Sequence, residues 1–285
     1  MRALRATAVF LEMVKIGHSI FALPFALAAL LLAERGIPPM ALCGKVVLAV
    51  VLARTAAMSF NRWADAAIDA RNARTQGRAI PAGLLSRPAV LFAALGAAMG
   101  FVLTAAWINT AAFALSPVAL AVLLGYSYTK RFTQLSHAVL GLALGLAPVG
   151  AWVAARGEVS LAPILLGAAV LFWTAGFDIL YSLQDIEFDR GARLFSIPAR
   201  WGAARALWIS RSSHIAAVAL LAGVGVVAQL GPVYRLGVAG IAALLIWEQS
   251  LVRANDLSRV NQAFFAANGF VSLGYLAAVA IDVLR

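Results

Sequence analysis

The stretch from Asn61 to Pro81, NRWADAAIDARNARTQGRAIP, places two carboxylates and several arginines in a chain that is otherwise strongly apolar. The two acids are Asp65 and Asp69. A spacing of four residues puts both side chains on one face of a helix, where their like charges repel. Ionisable groups near lipid are costly and usually functional. The stretch therefore indicates a functional site at the end of a helix that enters a membrane.

A second acidic cluster, DILYSLQDIEFDRGARLFSIPARWG, repeats this pattern and is also followed by an Ile-Pro step. The residues at matching offsets of 0, 7 and 11 are Arg54, Asn61 and Asp65 in the first cluster and Asp178, Asp185 and Asp189 in the second. At ~100° per residue these offsets return to within ~20° of the starting direction. Each set is therefore predicted to form a polar stripe along one helix, from mid-membrane to the helix end, as in a weak internal duplication.

The composition indicates an integral membrane protein. The chain has 285 residues, of which 63% are hydrophobic and 12% charged, and its mean hydropathy is +0.89. Soluble domains are about 45–50% apolar. The net charge of +11 would suit a nucleic-acid partner, but the basic residues lie in short segments between apolar ones, so we expect none. Cys43 is the only cysteine, which excludes an intrachain disulfide and a cysteine metal cage.

We predict an all-α, polytopic membrane protein with nine transmembrane helices bundled around a central cavity, in a single domain over residues 1–285. A span needs ~20 mostly apolar residues, and the chain lacks the alternating pattern of a barrel. The predicted spans are 10–33, 40–60, 88–107, 110–128, 136–155, 160–182, 205–229, 233–252 and 262–283. The pairs Gly96–Gly100 and Gly141–Gly145 have the spacing that lets helices approach closely in lipid.

The N-terminus resembles a signal peptide, because Arg2 and Arg5 precede an apolar run. Glu12, Lys15 and His18 interrupt that run. We therefore expect a short interfacial segment followed by a retained first span.

The basic residues are distributed unequally between the two sides of the predicted bundle. One side holds Arg2, Arg5, Arg62, Arg71, Arg74, Arg78, Arg87, Lys130, Arg131, Arg190, Arg193, Arg200, Arg205, Arg253 and Arg259, and the other holds Arg35, Arg156, Arg235 and Arg285. Positive charge accumulates in cytoplasmic loops. We therefore expect a bacterial-type inner membrane protein whose N-terminus and long loops are cytoplasmic and whose C-terminus faces outward.

The acids and the interleaved bases together predict a metal-bridged diphosphate site. Mg²⁺ prefers oxygen ligands and is usually bound by one or two carboxylates plus substrate phosphates. The predicted Mg²⁺ ligands are Asn61, Asp65, Asp69, Asp185 and Asp189, and the four aspartates are the predicted catalytic residues. Basic side chains grip phosphate oxygens, and those predicted to be able to do so are Arg71, Arg74, Arg78, Lys130 and Arg131. The alternative is that arginines such as Arg62, Arg71, Arg74 and Arg87 only orient the chain in the membrane.

On these residues the chain resembles the UbiA superfamily of intramembrane aromatic prenyltransferases. That family carries N-D-x-x-D-x-x-x-D and D-x-x-x-D motifs at the ends of two helices. Here the first reads Asn61-Arg62-x-x-Asp65-x-x-x-Asp69 and the second Asp185-x-x-x-Asp189, and the similarity runs from KIGHSIFALPFA to the ninth predicted helix. Arg62 stands where the family often has aspartate, which removes one possible metal ligand.

The resemblance implies Mg²⁺-dependent transfer of a polyprenyl group from a polyprenyl diphosphate to a hydroxylated aromatic acid, in ubiquinone or menaquinone biosynthesis. The similarity is greatest to enzymes that act on 4-hydroxybenzoate, with 1,4-dihydroxy-6-naphthoate as the alternative acceptor. An enzyme of the same fold that prenylates haem, chlorophyllide or a glycerolipid is a further alternative. A membrane transporter is the alternative from another class, but the acids lie at helix ends on one side rather than in paired broken helices. No obligatory protein partner is evident.

The acceptor's carboxylate calls for a buried cation, for which Arg54 is the first choice and Lys15 the second. Aromatic faces can shield an allylic cation from water, and the candidates are Tyr126, Tyr128, Phe177 and Tyr181. For each of these aromatic residues, plain packing is the alternative. Tyr126, Tyr181 and Asp178 are also predicted to bind the aromatic substrate. Arg54 and Asp178 could instead pair as a structural bridge, and His18 is interpreted as a satisfied helix residue.

Overall fold

The structure is a computed structural model that describes residues 2–15, 21–262 and 267–285. Over these residues the chain is helical and has no β-strand, which confirms the predicted all-α class. The α-helices are α1 Arg2–Met13, α2 Leu23–Glu34, α3 Met40–Asp69, α4 Arg87–Ile108, α5 Thr110–Thr129, α6 Ser136–Arg156, α7 Leu161–Ser182, α8 Ile186–Gly191, α9 Ile197–Val227, α10 Pro232–Ser250, α11 Val260–Gln262 and α12 Asn268–Val283. His18 lies outside the described residues.

Six segments of the described chain are long and apolar enough to span a bilayer. They are α3, α4, α5, α6, the segment Leu161–Gly191 and α9. The helices α2 and α12 are apolar but shorter, with 12 and 16 residues. The predicted count of nine spans is therefore not confirmed, whereas the polytopic membrane fold is.

The first predicted span, 10–33, is wrong as a continuous helix. Helix α1 ends at Met13, and Lys15 then adopts a left-handed backbone conformation with φ of 50°. Helix α2 begins only at Leu23, with Pro24 in its first turn, where the missing N–H of proline costs no helical hydrogen bond. The chain thus turns before it crosses the bundle.

Close helix packing at two glycines holds α6 against α7. A Cβ atom on Gly141 would lie 2.3 Å from the Leu171 carbonyl oxygen, and one on Gly145 would lie 2.4 Å from that of Gly167. The predicted packing role of this pair is therefore confirmed. By contrast, a Cβ atom on Gly96 would meet nothing within 4 Å, so the corresponding prediction for that position is wrong.

An aromatic core joins α2, α7 and α12. The ring of Phe25 lies 5.2 Å from that of Trp173 and 5.1 Å from that of Tyr275, measured between centroids. Tyr234 of α10 is also buried and donates a hydrogen bond to the Leu221 carbonyl of α9 at 2.7 Å. These contacts fix the second half of the bundle, from which the second acidic cluster emerges.

The two acidic clusters sit on differently built helix ends. Helix α3 is continuous through Arg54, Asn61, Asp65 and Asp69, as predicted. Helix α7 ends at Ser182, a 3₁₀ turn covers Leu183–Asp185, and α8 follows. The prediction of one continuous stripe is therefore wrong for the second cluster. Leu183 of this turn is buried in the core.

Candidate active site

Asp65 is an almost fully buried carboxylate held by two bases from the loop that follows α5. Its oxygens lie 3.0 Å from Lys130 Nζ and 3.2 Å from Arg131 Nη2. Arg131 also donates to the Ala64 carbonyl at 2.8 Å. A buried charge is costly unless it is paired and hydrogen-bonded. The α5–α6 loop therefore supplies the compensating charge for the first acidic cluster.

Asp69, one turn further along α3, is held by its own downstream loop. Arg78 Nη1 lies 2.7 Å and 2.8 Å from the two carboxylate oxygens. The Thr75 hydroxyl donates to the Asp69 backbone carbonyl at 3.1 Å. The loop after α3 therefore folds back over the helix end and brings its arginines to the acids.

The same loop reaches across to the second cluster. Arg74 grips the Asp185 carboxylate with two N–H groups, one of them with its nitrogen 2.9 Å from the oxygen. Asn72 Nδ2 donates to the same carboxylate at 3.2 Å. Burial lowers the pKa of the Arg74 guanidinium, but the hydrogen bond and charge of Asp185 outweigh this and raise the pKa above its ordinary value. The two acidic clusters thus meet at one end of the bundle.

Asp189 lies on α8 and is bound by the start of α9. The Ser196 hydroxyl donates to its carboxylate at 2.8 Å. The neighbouring Phe195 N–H donates to the Lys130 carbonyl at 2.7 Å. Through this contact the α8–α9 loop touches the loop that supplies the bases for Asp65. The structure therefore places all four predicted catalytic aspartates in one network.

Asn61 is part of this network, but its amide oxygen is already engaged. Its Nδ2 donates to Asp65 at 3.1 Å, while its Oδ1 accepts from Arg62 Nη1 at 3.1 Å. Arg62 is buried, with 9% of its surface exposed. The arginine that replaces the family's aspartate therefore occupies the oxygen with which Asn61 would ligate a metal.

Some of the remaining predicted site residues lie away from the acids. Arg71 is exposed and donates to the Ala67 carbonyl at 3.3 Å. Lys15 is exposed, and its backbone carbonyl accepts two hydrogen bonds from Arg54, at 3.0 Å and 3.3 Å. Asp178 contacts His137 at 2.7 Å. Arg54 therefore contacts Lys15, and Asp178 contacts His137, instead of forming the suggested bridge with each other.

An apolar cavity of about 360 Å³ lies between α3, α4, α5 and α6. It follows α6 from Leu140 to Ala154, a length of about 21 Å at 1.5 Å per residue. Its polar lining residues are Arg54, Ser116 and Tyr126. Tyr126 directly precedes Ser127, whose hydroxyl is 3.5 Å from Asn61 Nδ2. The cavity therefore starts beside the charged network and continues into the bundle.

Tyr181 is placed against the charged network rather than in this cavity. Its hydroxyl accepts from Arg74 Nη1 at 3.2 Å, and the guanidinium carbon lies 5.3 Å from the ring centre. The aromatic face is thereby directed at a cation, the arrangement expected of a ring that stabilises positive charge.

The chemistry of the donor set fits a divalent metal, although the acids are separated. In the described part of the chain, no three His, Cys, Asp or Glu side chains come together as a metal-binding group. Each of Asp65, Asp69 and Asp185 has a basic partner instead. Because Mg²⁺ takes one or two carboxylates and completes its shell with phosphate and water, these oxygens suit an ion that arrives with a diphosphate.

Sequence reasoning missed several residues of this network. The missed residues are Asn72, His137 and Ser196. Asn72 lies inside the quoted stretch, so its position next to the acids was a usable signal. His137 and Ser196 carry no local signal, because only the tertiary fold brings them to Asp178 and Asp189.

The family assignment rests on the match of the whole bundle. The model of the UbiA prenyltransferase family matches residues 22–272, which include both acidic clusters and the cavity-lining helices. The chain belongs to the UbiA prenyltransferase family. The resemblance to this family and the predicted class, a prenyl-transferring membrane enzyme, are thereby confirmed.

Curated relatives within the UbiA family cover most of the chain. A 4-hydroxybenzoate octaprenyltransferase from Methylococcus capsulatus is 34% identical over 248 residues, which are 86% of this chain and 84% of the relative. The 4-hydroxybenzoate octaprenyltransferase from Sodalis glossinidius is 32% identical to this chain, and the match covers 84% of this chain and 82% of the relative.

Solved UbiA structures have the same fold. The apo structure of a UbiA homolog from Aeropyrum pernix K1 is 37% identical, with a TM-score of 0.86 over 94% of this chain and 99% of that one. A UbiA homolog from Archaeoglobus fulgidus bound to GPP and Mg²⁺ has a TM-score of 0.69 over 96% of this chain and 99% of that one. At 20% identity, the second similarity concerns the fold alone.

Proposed function

We propose that this UbiA family member transfers a polyprenyl group from a polyprenyl diphosphate to the ring of 4-hydroxybenzoate, with Mg²⁺ as cofactor. The observation that carries the proposal is the network of four aspartates and their bases at the start of an apolar cavity. The names of curated relatives at 34% and 32% identity support the choice of acceptor.

The bases of the network are the groups that would receive the diphosphate. Arg74, Arg78, Lys130 and Arg131 all contact a carboxylate and are all partly exposed. Each can exchange its carboxylate for a phosphate oxygen without crossing the bundle. Charge-assisted contacts of this kind stabilise the negative charge that develops on a leaving group, and such electrostatic stabilisation often contributes more to catalysis than any other effect.

The carboxylates released by this exchange would hold the metal. Asp65, Asp69, Asp185 and Asp189 are the proposed Mg²⁺ ligands, and Asn61 joins them only if Arg62 leaves its amide oxygen. When bound, Mg²⁺ supplies further neutralisation of the diphosphate charge. The structure of a UbiA homolog bound to GPP and Mg²⁺ has the same fold, which supports a diphosphate and a metal as partners here.

The chemical step couples breaking of the allylic carbon–oxygen bond to formation of a carbon–carbon bond. The bond electrons leave with the diphosphate, the allylic carbon bonds a ring carbon of the acceptor, and that ring carbon then loses its proton. The chain's part is to orient the two substrates and to exclude water from the cation. The apolar cavity would hold the prenyl chain, while Tyr126 and Tyr181 would face the cation.

The acceptor is proposed to bind between Arg54 and Asp178. The Arg54 guanidinium lines the cavity and is held by the Lys15 carbonyl, so a substrate carboxylate would meet a preoriented cation. Asp178 would accept a hydrogen bond from the ring hydroxyl. Lys15 would then contribute through its backbone. We further propose that this end of the bundle faces the cytoplasm of a bacterial-type cell.

The decisive experiment is an acceptor assay with the purified full-length chain. The protein is incubated with Mg²⁺, a labelled polyprenyl diphosphate and one aromatic acid at a time, and products are identified by mass spectrometry. Prenylated 4-hydroxybenzoate is expected. If product forms only from 1,4-dihydroxy-6-naphthoate, that acid is the acceptor and the proposal of 4-hydroxybenzoate is wrong. Full turnover in EDTA would overturn the metal dependence, and solute flux in proteoliposomes without any prenylated product would favour a transporter.

A further inference from the structure

A buried histidine joins Asp178 to the start of α9. His137 of α6 has 3% of its surface exposed. Its Nδ1 lies 2.7 Å from an Asp178 carboxylate oxygen, and its Nε2 accepts the backbone N–H of Ile197 at 3.3 Å. The preceding residue, Ser196, binds Asp189. One helix start therefore contacts both the second acidic motif and the ring that holds Asp178.

These two contacts fix the state of the imidazole. A backbone N–H can only donate, so Nε2 must be the acceptor, and in the neutral ring the proton then resides on Nδ1. Nδ1 therefore donates to the Asp178 carboxylate. Both ring nitrogens are satisfied, and the plane of the ring is set by the backbone of α9 rather than by a rotatable side chain.

Asp178 depends on this contact for its orientation. Its side chain is one quarter exposed, and one carboxylate oxygen is held by His137. The direction of the other oxygen is thereby fixed as well. Without the imidazole, rotation about the side-chain bonds would leave the carboxylate without a fixed direction.

We propose that His137 is a positioning residue for the acceptor: it holds Asp178 in the orientation that receives the ring hydroxyl and takes its own orientation from the start of α9. This inference rests on the proposed function, because it assigns Asp178 to the acceptor. It requires no change of charge on the histidine.

A purely structural role for His137 makes different predictions. If the residue only anchored α9, its loss would lower stability and weaken both substrates together. If it positions Asp178, its loss raises the KM for the acceptor while the KM for the prenyl diphosphate stays unchanged. Glutamine can supply one N–H donor and one carbonyl acceptor, so it should restore the contact where leucine cannot.

The kinetic test compares His137→Leu and His137→Gln with His214→Gln as the matched control. His214 is also a buried histidine, 4% exposed, but it lies on α9 and its Nδ1 contacts Gln249 instead of an aspartate. We expect His137→Leu to raise the acceptor KM by about tenfold to a hundredfold, the effect of a lost hydrogen bond to a charged group. His137→Gln should recover most of this loss, and His214→Gln should leave the acceptor KM unchanged.

A spectroscopic readout keeps the inference separate from the proposed function. The chain has three histidines, so NMR of isotope-labelled histidine in detergent can assign His137 by its absence in His137→Gln. We expect the Nδ1-protonated ring, and a shift of that proton's resonance in Asp178→Asn. This holds for folded protein whatever acceptor the wild type uses. An Nε2-protonated ring, or equal acceptor KM for the leucine and glutamine variants, would overturn the proposal, whereas wild-type inactivity on 4-hydroxybenzoate would overturn only the proposed function.

Discussion

Arg74 and Asp185 are 111 residues apart in the chain, yet they form a two-point ion pair that connects the two acidic clusters. The pair joins the loop after α3 to the 3₁₀ turn after α7. The same carboxylate is also a proposed metal ligand. Under the proposed function, Arg74 would therefore release Asp185 when the substrate binds, so that the acids could bind the metal and the bases the diphosphate.

The aspartates are expected to be essential for turnover. Asp65→Asn and Asp185→Asn keep the side-chain shape but remove the charge, and each should lower kcat by at least about 10²- to 10³-fold, as for other lost electrostatic contacts. Glu187→Gln is the matched control, because this exposed acid lies on α8 between Asp185 and Asp189. The measurement is prenyl transfer by folded, membrane-inserted protein. Near-normal rates in either Asp variant would refute the assignment of these clusters as the active site.

Arg74 and Arg71 lie close together in the chain, but their substitution should have different effects on binding of the prenyl diphosphate. Arg74 binds Asp185, whereas Arg71 is exposed and donates to the Ala67 carbonyl of its own helix. Arg74→Gln is therefore expected to raise the KM for the prenyl diphosphate by about tenfold to a hundredfold. Arg71→Gln should have a much smaller effect, which would argue against its predicted contact with diphosphate. Equal losses would show that Arg71 moves onto the substrate. Steady-state kinetics at varied prenyl diphosphate concentration make the comparison.

Metal and diphosphate should bind together rather than independently. In the structure the carboxylates are neutralised by Arg74, Arg78 and Lys130, so Mg²⁺ alone gains little. A ligand present at 100 times its Kd stabilises the folded state by about 2.7 kcal/mol. We therefore expect a clear rise in Tm in detergent only when Mg²⁺ and a prenyl diphosphate are both present. A full Tm shift with Mg²⁺ alone would contradict this exchange.

The sequence predicts the parts of the site that are local and periodic. Asp65 and Asp69 fall on one face of a continuous helix because the spacing of four fixes their relation, and that relation is what the structure shows. The second cluster has the same spacing, but the regular helix gives way to a 3₁₀ turn at Leu183–Asp185, which the spacing alone does not predict. His137 was missed for a related reason: only the packing of α6, α7 and α9 brings it to Asp178.

Helix packing gives a test of the fold that is independent of activity. Gly141→Ala would place a methyl group 2.3 Å from the Leu171 carbonyl oxygen, which forces α6 and α7 apart. Overpacking of this kind costs about 1–3 kcal/mol, so the Tm in detergent should fall. Gly96→Ala is the matched control, because a methyl group there meets nothing within 4 Å. Equal Tm values for the two variants would contradict the close approach of α6 and α7.

Substitution of Arg54 should change the KM for the acceptor and not the KM for the prenyl donor. Its guanidinium donates two hydrogen bonds to the Lys15 carbonyl, and Arg54 lines the cavity. Under the proposed function it would therefore present a fixed cation to the acceptor's carboxylate. Arg54→Gln removes the charge and should raise the acceptor KM by about tenfold to a hundredfold, with the KM for prenyl diphosphate unchanged. Arg54→Lys keeps the charge but loses the two-point geometry, so it should fall between wild type and Arg54→Gln. The Gln variant should also discriminate less between 4-hydroxybenzoate and a phenol without the carboxylate. If that discrimination is unchanged, the acceptor's carboxylate binds elsewhere and Arg54 serves only to hold the turn at Lys15.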